Sequence, residues 1–292
     1  MNPQAPDNKL RNRVIENLKE LPTLPTVVAQ LMMTLNEPTS SARDLERLIA
    51  NDQAIAARLL KLANSAFYGL PGKVTSLSRA ITLLGFNTVR SMVLTIGVVD
   101  KFSGQSGGRY FDRGEFWEHS LSTAMASKLL GSKDSSFSSE EAHLGGLLHD
   151  IGKVIMDSQT PGQFQRAMRQ VSENGMEELD AEVKFVGLGH DEIGSLAAEQ
   201  WRFPEFLKTV IEYHHRPDDA PAHNDIVNLV ALANTITTAF REQEKNKEDY
   251  HLPEIRDDYR ERWLATPRHE ELFITKYEVE IERVRDILSL YN

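Results

Sequence analysis

The chain has 292 residues, of which 40% are hydrophobic and 26% charged, with a formal net charge of −10. This length allows a large buried core, and no stretch approaches the roughly 20 apolar residues that a membrane span needs. The lack of cysteine excludes disulfides and thiolate chemistry and fits a reducing compartment, while the negative charge disfavours nucleic acid as a partner. Because the N-terminal residues lack the apolar segment of a signal peptide, we expect a cytoplasmic protein with no membrane anchor.

Apolar residues recur at helical spacing along nearly the whole chain, and no segment alternates strictly with period two. An early case is the set Val27, Val28, Leu31, Met32 and Leu35. The sequence therefore predicts an all-α fold.

Helix boundaries are marked by residues that commonly begin or end helices. Pro25 suits a first-turn position, Asp52 can cap the segment after it, and Ser138 with Glu141 has the spacing of a capping box. Gly175 is a plausible helix end. We expect helices to begin or end at these positions.

Residues 76–94 (SLSRAITLLGFNTVRSMVL) are superficially similar to a helix-turn-helix motif. The turn would lie at Gly85 and Phe86, and Asn87 would cap the second helix. That helix has Arg90 as its one cation and is otherwise rich in apolar residues. We interpret it as part of the core rather than as a DNA-reading helix.

Glycine and serine accumulate in residues 103–114 (SGQSGGRYFDRG), which indicates a break between two lobes. We predict an N-terminal helical lobe over 1–105, a lobe with most of the histidines over 106–245, and a helical extension over 246–292. The extension ends in an amphipathic segment typical of a helix that packs on the protein or binds a partner.

Glu115 and His119 lie four residues apart on a predicted helix, so they share one face and could serve one metal cluster. Read alone, the pair is more typical of a surface helix with an incidental Glu and His. Trp117, on the same helix, and Trp201 are expected in the core.

The segment HLGGLLHDIGKVIM carries His149 and Asp150 at the polar end of an apolar helix. A buried carboxylate beside an imidazole is costly unless a cation or hydrogen bonds compensate it. His190 and the pair His214 and His215 also lie at the ends of apolar segments. Together these nitrogen and oxygen donors suit Fe, Mn, Zn or Ni.

The order of His119, then His149 with Asp150, then His190, then His214 with His215 resembles the HD superfamily of metal-dependent phosphohydrolases over about 110–240. Two further segments, LPTLPTVVAQLMMTLNEPTSSARDLERLIANDQAIAARLLKLANSAFYG and SLSRAITLLGFNTVRSMVL, extend the resemblance to the HDOD family over about 14–240. This family resemblance implies two helical lobes and a role in bacterial signalling and regulation.

The resemblance also implies roles for particular residues. The implied metal ligands are Glu115, His119, His149, Asp150, His190, His214, His215 and, at the position of a later aspartate, Asn234. In an active enzyme Asp150 and Lys153 would be the catalytic residues, with Lys153 contacting a substrate phosphate. Iron is the first expectation for the metal, with Mn, Zn and Ni as alternatives.

Two departures from active HD enzymes weaken the catalytic interpretation. Asn234 offers a neutral amide where a carboxylate is expected, and the segment RPDDAPAH after His215 has no GYP loop. We therefore predict a metal-binding signalling module that acts through a protein partner with little or no catalysis. A metal-dependent phosphohydrolase is the alternative, and a phosphate-containing small ligand or a homo-oligomer also fits the sequence.

Overall fold

A computed structural model describes residues 8–18, 21, 23–33, 41–65, 68–70, 72–102 and 108–288. Over this part of the chain the regular structure is helical, and an isolated bridge between Gly108 and Phe111 is the one β-type pairing. The all-α prediction is therefore confirmed. The α-helices are α1 (Asn8–Leu18), α2 (Thr26–Met33), α3 (Ala42–Ala50), α4 (Gln53–Ala63), α5 (Leu77–Leu84), α6 (Phe86–Phe102), α7 (Arg113–Leu130), α8 (Ser139–Leu148), α9 (Ile151–Gln159), α10 (Pro161–Asn174), α11 (Glu178–Phe185), α12 (His190–Gln200), α13 (Glu205–Tyr213), α14 (Asn224–Lys245), α15 (Asp257–Trp263) and α16 (Pro267–Leu288).

The predicted helix ends are largely where the sequence places them. Asp52 caps α4 by accepting two backbone N–H groups, and Ser138 and Glu141 form a reciprocal capping box at the start of α8. Gly175 ends α10 with φ of 63°, a left-handed conformation that suits glycine. Pro25 differs slightly, since it lies immediately before α2 rather than inside its first turn.

The α5–α6 pair corrects one sequence prediction. Helix α6 already begins at Phe86, so Asn87 lies inside its first turn and is not the cap. Gly85 alone makes the turn, with φ of 85°, and the two helices are bent by 119°. Along α6 every residue from Val89 to Val99 is buried, which confirms that this helix belongs to the core.

No single described helix is long and apolar enough to cross a membrane, and α5 with α6 reaches that length only across the bend. Helix α6 packs against α2, α3, α4 and α5 and also against α8. It thereby joins the N-terminal helices to the helices that carry the histidines.

The histidine-bearing part of the chain is built on α7, which packs against α8, α14 and α16. Gly146 on α8 makes this contact close, because a Cβ there would lie 2.7 Å from the backbone of Ala124 on α7. Helices α9 and α13 both pack on α12, and α13 also contacts α8. Trp117 and Trp201 are buried, as predicted.

The predicted lobe boundary near residue 105 lies outside the described residues, because 103–107 are among those left out. At the other end, α16 packs on α7, one of the two roles considered for the C-terminal segment. Helix α1 reaches across to the histidine-bearing part, where Arg11 pairs with Glu192 on α12 at 3.0 Å.

Candidate metal centre

The turn between α8 and α9 places His149 and Asp150 at the centre of the histidine-bearing helices. Helix α8 ends at Leu148, so both polar residues lie directly after its apolar run and are buried. Gly152 allows the next turn to approach α12, because a Cβ there would lie 1.9 Å from the carbonyl oxygen of His190. The close approach brings Asp150 into contact with His190.

Four imidazoles converge on the Asp150 carboxylate through their Nε2 atoms. Oδ1 lies 3.1 Å from His190 and 3.3 Å from His214. Oδ2 lies 3.4 Å from His149 and 3.9 Å from His119. The two oxygens therefore face different pairs of histidines.

A fifth ring, His215, lies with its Nε2 3.0 Å from that of His190. The donors fall into two groups, each with its atoms within 4.8 Å of one another, namely His119, His149 and Asp150, and Asp150, His190, His214 and His215. Because Asp150 belongs to both groups, the arrangement could hold one metal ion or two that share this carboxylate.

Backbone carbonyls fix two of the rings. The Nδ1 of His149 donates to Gly146 O and that of His214 to Ile211 O, both at 2.8 Å, because a carbonyl oxygen can only accept. In the neutral ring each Nε2 then keeps its lone pair and faces Asp150. The Nε2 of His149 is buried without a hydrogen-bond partner. This pattern fits a metal site, in which outer hydrogen bonds orient the ligating imidazoles.

Burial keeps His119, His149 and His214 neutral by disfavouring the charged ring, and His215, which is exposed at the rim, is kept neutral by partial desolvation and by its neighbours His214 and His190. These effects lower the pKa of His119 and His214 to about 4 and that of His149 and His215 to about 3. At pH 7 these rings therefore offer lone pairs rather than positive charge, as metal binding requires.

His190 differs because Glu182 on α11 contacts it twice. Glu182 Oε2 accepts the His190 Nδ1 at 2.7 Å and its backbone N–H at 2.8 Å, and both side chains are fully buried. Burial would lower the pKa of His190, but the Glu182 and Asp150 carboxylates outweigh it and raise that pKa to about 10. Glu182 is not among the predicted site residues, although its neighbour Ala181 marks the buried face of α11.

Lys153 lies beside the same carboxylate, with its Nζ 2.9 Å from Asp150 Oδ2 and 3.0 Å from Glu178 Oε2. Burial opposes the charge of Lys153, yet the two carboxylates outweigh it and raise its pKa. Burial likewise opposes the charge of Asp150, but His149, Lys153 and His190 hold the pKa of Asp150 well below its usual value. Lys153 therefore neutralises part of this buried anion, and Glu178 is a second site residue that is absent from the predicted set.

The two remaining predicted ligands lie at the margin. The Glu115 side chain is 59% exposed, pairs with Arg241 and falls outside both donor groups. Asn234 hydrogen-bonds to His119 and lines a cavity beside His214 and His215. The structure thus brings together the five histidines and Asp150 and leaves Glu115 apart.

The cavity beside His214 and His215 has a volume of about 520 Å³ and opens between α14 and the segment before α15. Its charged lining residues are Arg216, Asp218, Asp219, Glu254 and Arg256. Arg256 pairs with Asp218 on this wall, whereas Arg216 donates to the buried Asp191 at 2.6 Å. The lining carries three carboxylates against two guanidinium groups, both already paired, so it does not favour an anion.

Comparison with known proteins places these features in a family context. A sequence model of the HDOD domain matches residues 21–217. The crystal structure of an HDOD domain protein of unknown function from Geobacter sulfurreducens is 25% identical, with a TM-score of 0.76 over 97% of this chain and 98% of that one. A Shewanella amazonensis crystal structure, provisionally described as a phosphohydrolase, is also 25% identical, with a TM-score of 0.71 over 94% and 95%.

A relative of uncharacterized function in Treponema pallidum is 24% identical over 233 residues, which is 79% of this chain and 45% of that protein. The chain therefore spans less than half the length of this relative.

Proposed function

The chain belongs to the HDOD family, and we propose that it is a regulatory protein whose histidine pocket holds one or two transition metal ions and which acts mainly through protein partners. The observation that carries the proposal is the convergence of five imidazole Nε2 atoms around the buried Asp150. A buried carboxylate among so many ring nitrogens is best compensated by a cation.

The donor set decides which metals the pocket would take. Imidazole nitrogens with one carboxylate suit iron, manganese, zinc and nickel, and we expect iron first. The neutral rings of His149 and His214 would hold the ion together with Asp150, and His190 would join them by releasing its Nε2 proton, since the Nδ1 atoms of all three are held by acceptors outside the pocket. A bound ion would supply positive charge and Lewis acidity, while the chain itself supplies the fixed ring orientations.

Weak catalysis is supported by what surrounds the pocket. Asn234 contributes no charge where an anionic ligand would help to hold a second ion. The nearby cations that could bind a substrate phosphate are each paired with a carboxylate, namely Lys153, Arg216, Arg241 and Arg256. A phosphate would have to displace these pairs before it could be gripped.

A metal-dependent phosphohydrolase is the second candidate. The 520 Å³ cavity reaches His215 and Asn234 and has the volume for a phosphate-containing small molecule, although the excess of carboxylates on its wall opposes an anion. The name of the Shewanella amazonensis structure favours this candidate. In this alternative, Lys153 would leave Glu178 and contact the substrate.

Duplex DNA is not expected as a partner in either case. The helix that would read bases, α6, is buried from Val89 to Val99, and Arg90 is only 8% exposed. The net charge of −10 adds an average repulsion from phosphate.

A paired assay separates the two candidates. Protein purified without chelators is analysed for metal and then incubated with bis-p-nitrophenyl phosphate and cyclic dinucleotides. We expect bound metal with turnover at background. Robust turnover that requires the metal and is lost in Asp150→Asn would contradict the regulatory proposal and establish the enzyme.

A further inference from the structure

A separate cavity of about 370 Å³ is lined mainly by residues of α6, α7 and α8 and shares no lining residue with the candidate metal centre. Its apolar lining residues are Leu62, Met92, Leu121, Met125 and Leu129, and Tyr68 borders it. A volume of this size is within the usual range for small-molecule sites. The polar residues that line the cavity indicate what kind of molecule it could bind.

Helix α6 presents hydroxyl groups to this cavity. Thr88, Ser91 and Thr95 follow one face of the helix and all line the space. Ser91 and Thr95 are 7% and 5% exposed, yet neither hydroxyl has a hydrogen-bond partner. A helical serine or threonine can bond to the carbonyl four residues earlier, as Thr209 does to Glu205 O at 2.9 Å. The hydroxyls of Ser91 and Thr95 make no such bond, so both can bond to a molecule in the cavity.

Helix α8 contributes His143, which is 7% exposed and whose Nδ1 also has no partner. The backbone carbonyl of Ala124 on α7 lies close enough to the ring to favour a proton on it. Burial, with Lys128 nearby, lowers the pKa of His143 to about 3, so the ring is neutral at pH 7. Because the Ala124 carbonyl favours a proton on the ring and Nδ1 has no partner, we assign the proton of the neutral ring to Nε2, which leaves Nδ1 as a buried acceptor without a donor.

We propose that this cavity binds a small, uncharged and mainly apolar molecule whose N–H or hydroxyl group donates to His143 Nδ1; a ligand hydroxyl could in addition accept from Ser91 or Thr95. Buried polar groups without partners are costly, so a ligand that satisfies several of them gains affinity and orientation. Lys128 and Glu280 border the cavity with one charge of each sign, so the rim does not select an ion.

The site would be separate from the metal pocket but connected to it through α8. His143 lies in α8, and the same helix ends at His149. A molecule in the cavity would contact α6, α7 and α8 together, which gives a regulatory protein an input separate from its metal.

Indole and indene test the proposal, because they share a shape and differ in the N–H donor. Full-length protein with ¹³C-labelled methionine methyl groups is titrated with each compound. We expect indole to shift the Met92 and Met125 signals saturably, to leave Met156 and Met168 unchanged, and to bind at least about tenfold more tightly than indene. Equal binding of both compounds, or no saturable shift at Met92 and Met125, would overturn the proposal.

Variants assign the effect to the named groups. His143→Leu should remove the preference for indole, and Ser91→Leu should fill the cavity and abolish binding of both compounds. Thr209→Val, a buried threonine outside the cavity, is the matched control and should bind indole normally. Undiminished indole binding in a folded Ser91→Leu protein would place the compound elsewhere and reject the site.

Discussion

Helix α8 carries two buried histidines whose surroundings differ, His143 within the helix and His149 at its end. Burial lowers the pKa of each to about 3. Around His149, however, Asp150 and other imidazoles converge, whereas His143 faces hydroxyl groups and apolar side chains. A histidine that is buried and neutral is therefore not by itself a metal ligand. What distinguishes His149 from His143 is that several other donors converge on it.

The largest expected effect is that of Asp150→Asn. This change removes the one anionic donor that both groups share, so metal content should fall about tenfold or more. The His143→Leu variant, which leaves both donor groups intact, should keep its metal. Elemental analysis of the purified variants makes the measurement, and equal metal loss in both would erase the distinction between the two histidines.

An exposed control is also available in His223, which lies outside the cluster. It has a left-handed conformation with φ of 56°, so His223→Asn is preferable to alanine. We expect full metal content in this variant.

Glu182→Gln should have the next largest effect. The change keeps the size of the side chain but removes the charge that orients His190, and losses of outer partners typically weaken metal binding by about 10-fold to 100-fold. Glu178→Gln is the matched control, because Glu178 contacts Lys153 rather than a ring. Competition with a chelator gives both affinities, and equal affinities of the Glu182 variant and the natural protein would show that the contact does not support the metal.

His143 and His149 should contribute equally to the change in the free energy of unfolding with pH. Their pKa is depressed in the folded state, so each contributes stability that is complete above the unfolded pKa of about 6.5 and is lost as pH falls toward 3. For metal-free protein we expect the free energy of unfolding to drop between pH 7 and pH 5. His143→Leu and His149→Leu should each reduce that slope by about 1 kcal/mol per pH unit.

Denaturant unfolding at several pH values measures these slopes. An unchanged slope in either leucine variant would show that the corresponding ring is not buried in its neutral form. Metal content would still separate the two variants, since only His149→Leu should lose it.

Helix positions and most of the cluster could be predicted from the sequence because they depend on local patterns. The caps at Asp52 and Ser138 and the polar end of α8 at His149 are readable within a few residues. The order of the histidines, together with family resemblance, brought five rings and Asp150 into one hypothesis.

The rest depends on contacts between distant helices. Glu182 is an ordinary residue in an amphipathic helix until α11 is packed beside His190, and Glu115 is a suitable ligand type until Arg241 pairs with it. The misplaced cap at Asn87 has a local cause, because Gly85 makes the turn alone and lets α6 start two residues earlier. The cavity beside His143 requires three helices at once and leaves no signature in any one of them.

Asn234→Asp should have the smallest effect. The added carboxylate lies beside His119 and should tighten metal binding, by less than Glu182→Gln weakens it. Turnover of phosphodiesters should rise slightly at most, because the nearby cations stay paired. Large activity in this variant would indicate that the missing charge alone had silenced an enzyme.

Metal content of the natural protein tests the central claim most directly. Protein purified without chelators should carry one or two transition metal ions per chain, identified by X-ray absorption edges, and their removal should lower the melting temperature. Protein that is free of metal, and whose melting temperature does not rise with iron, manganese or zinc, would contradict the account.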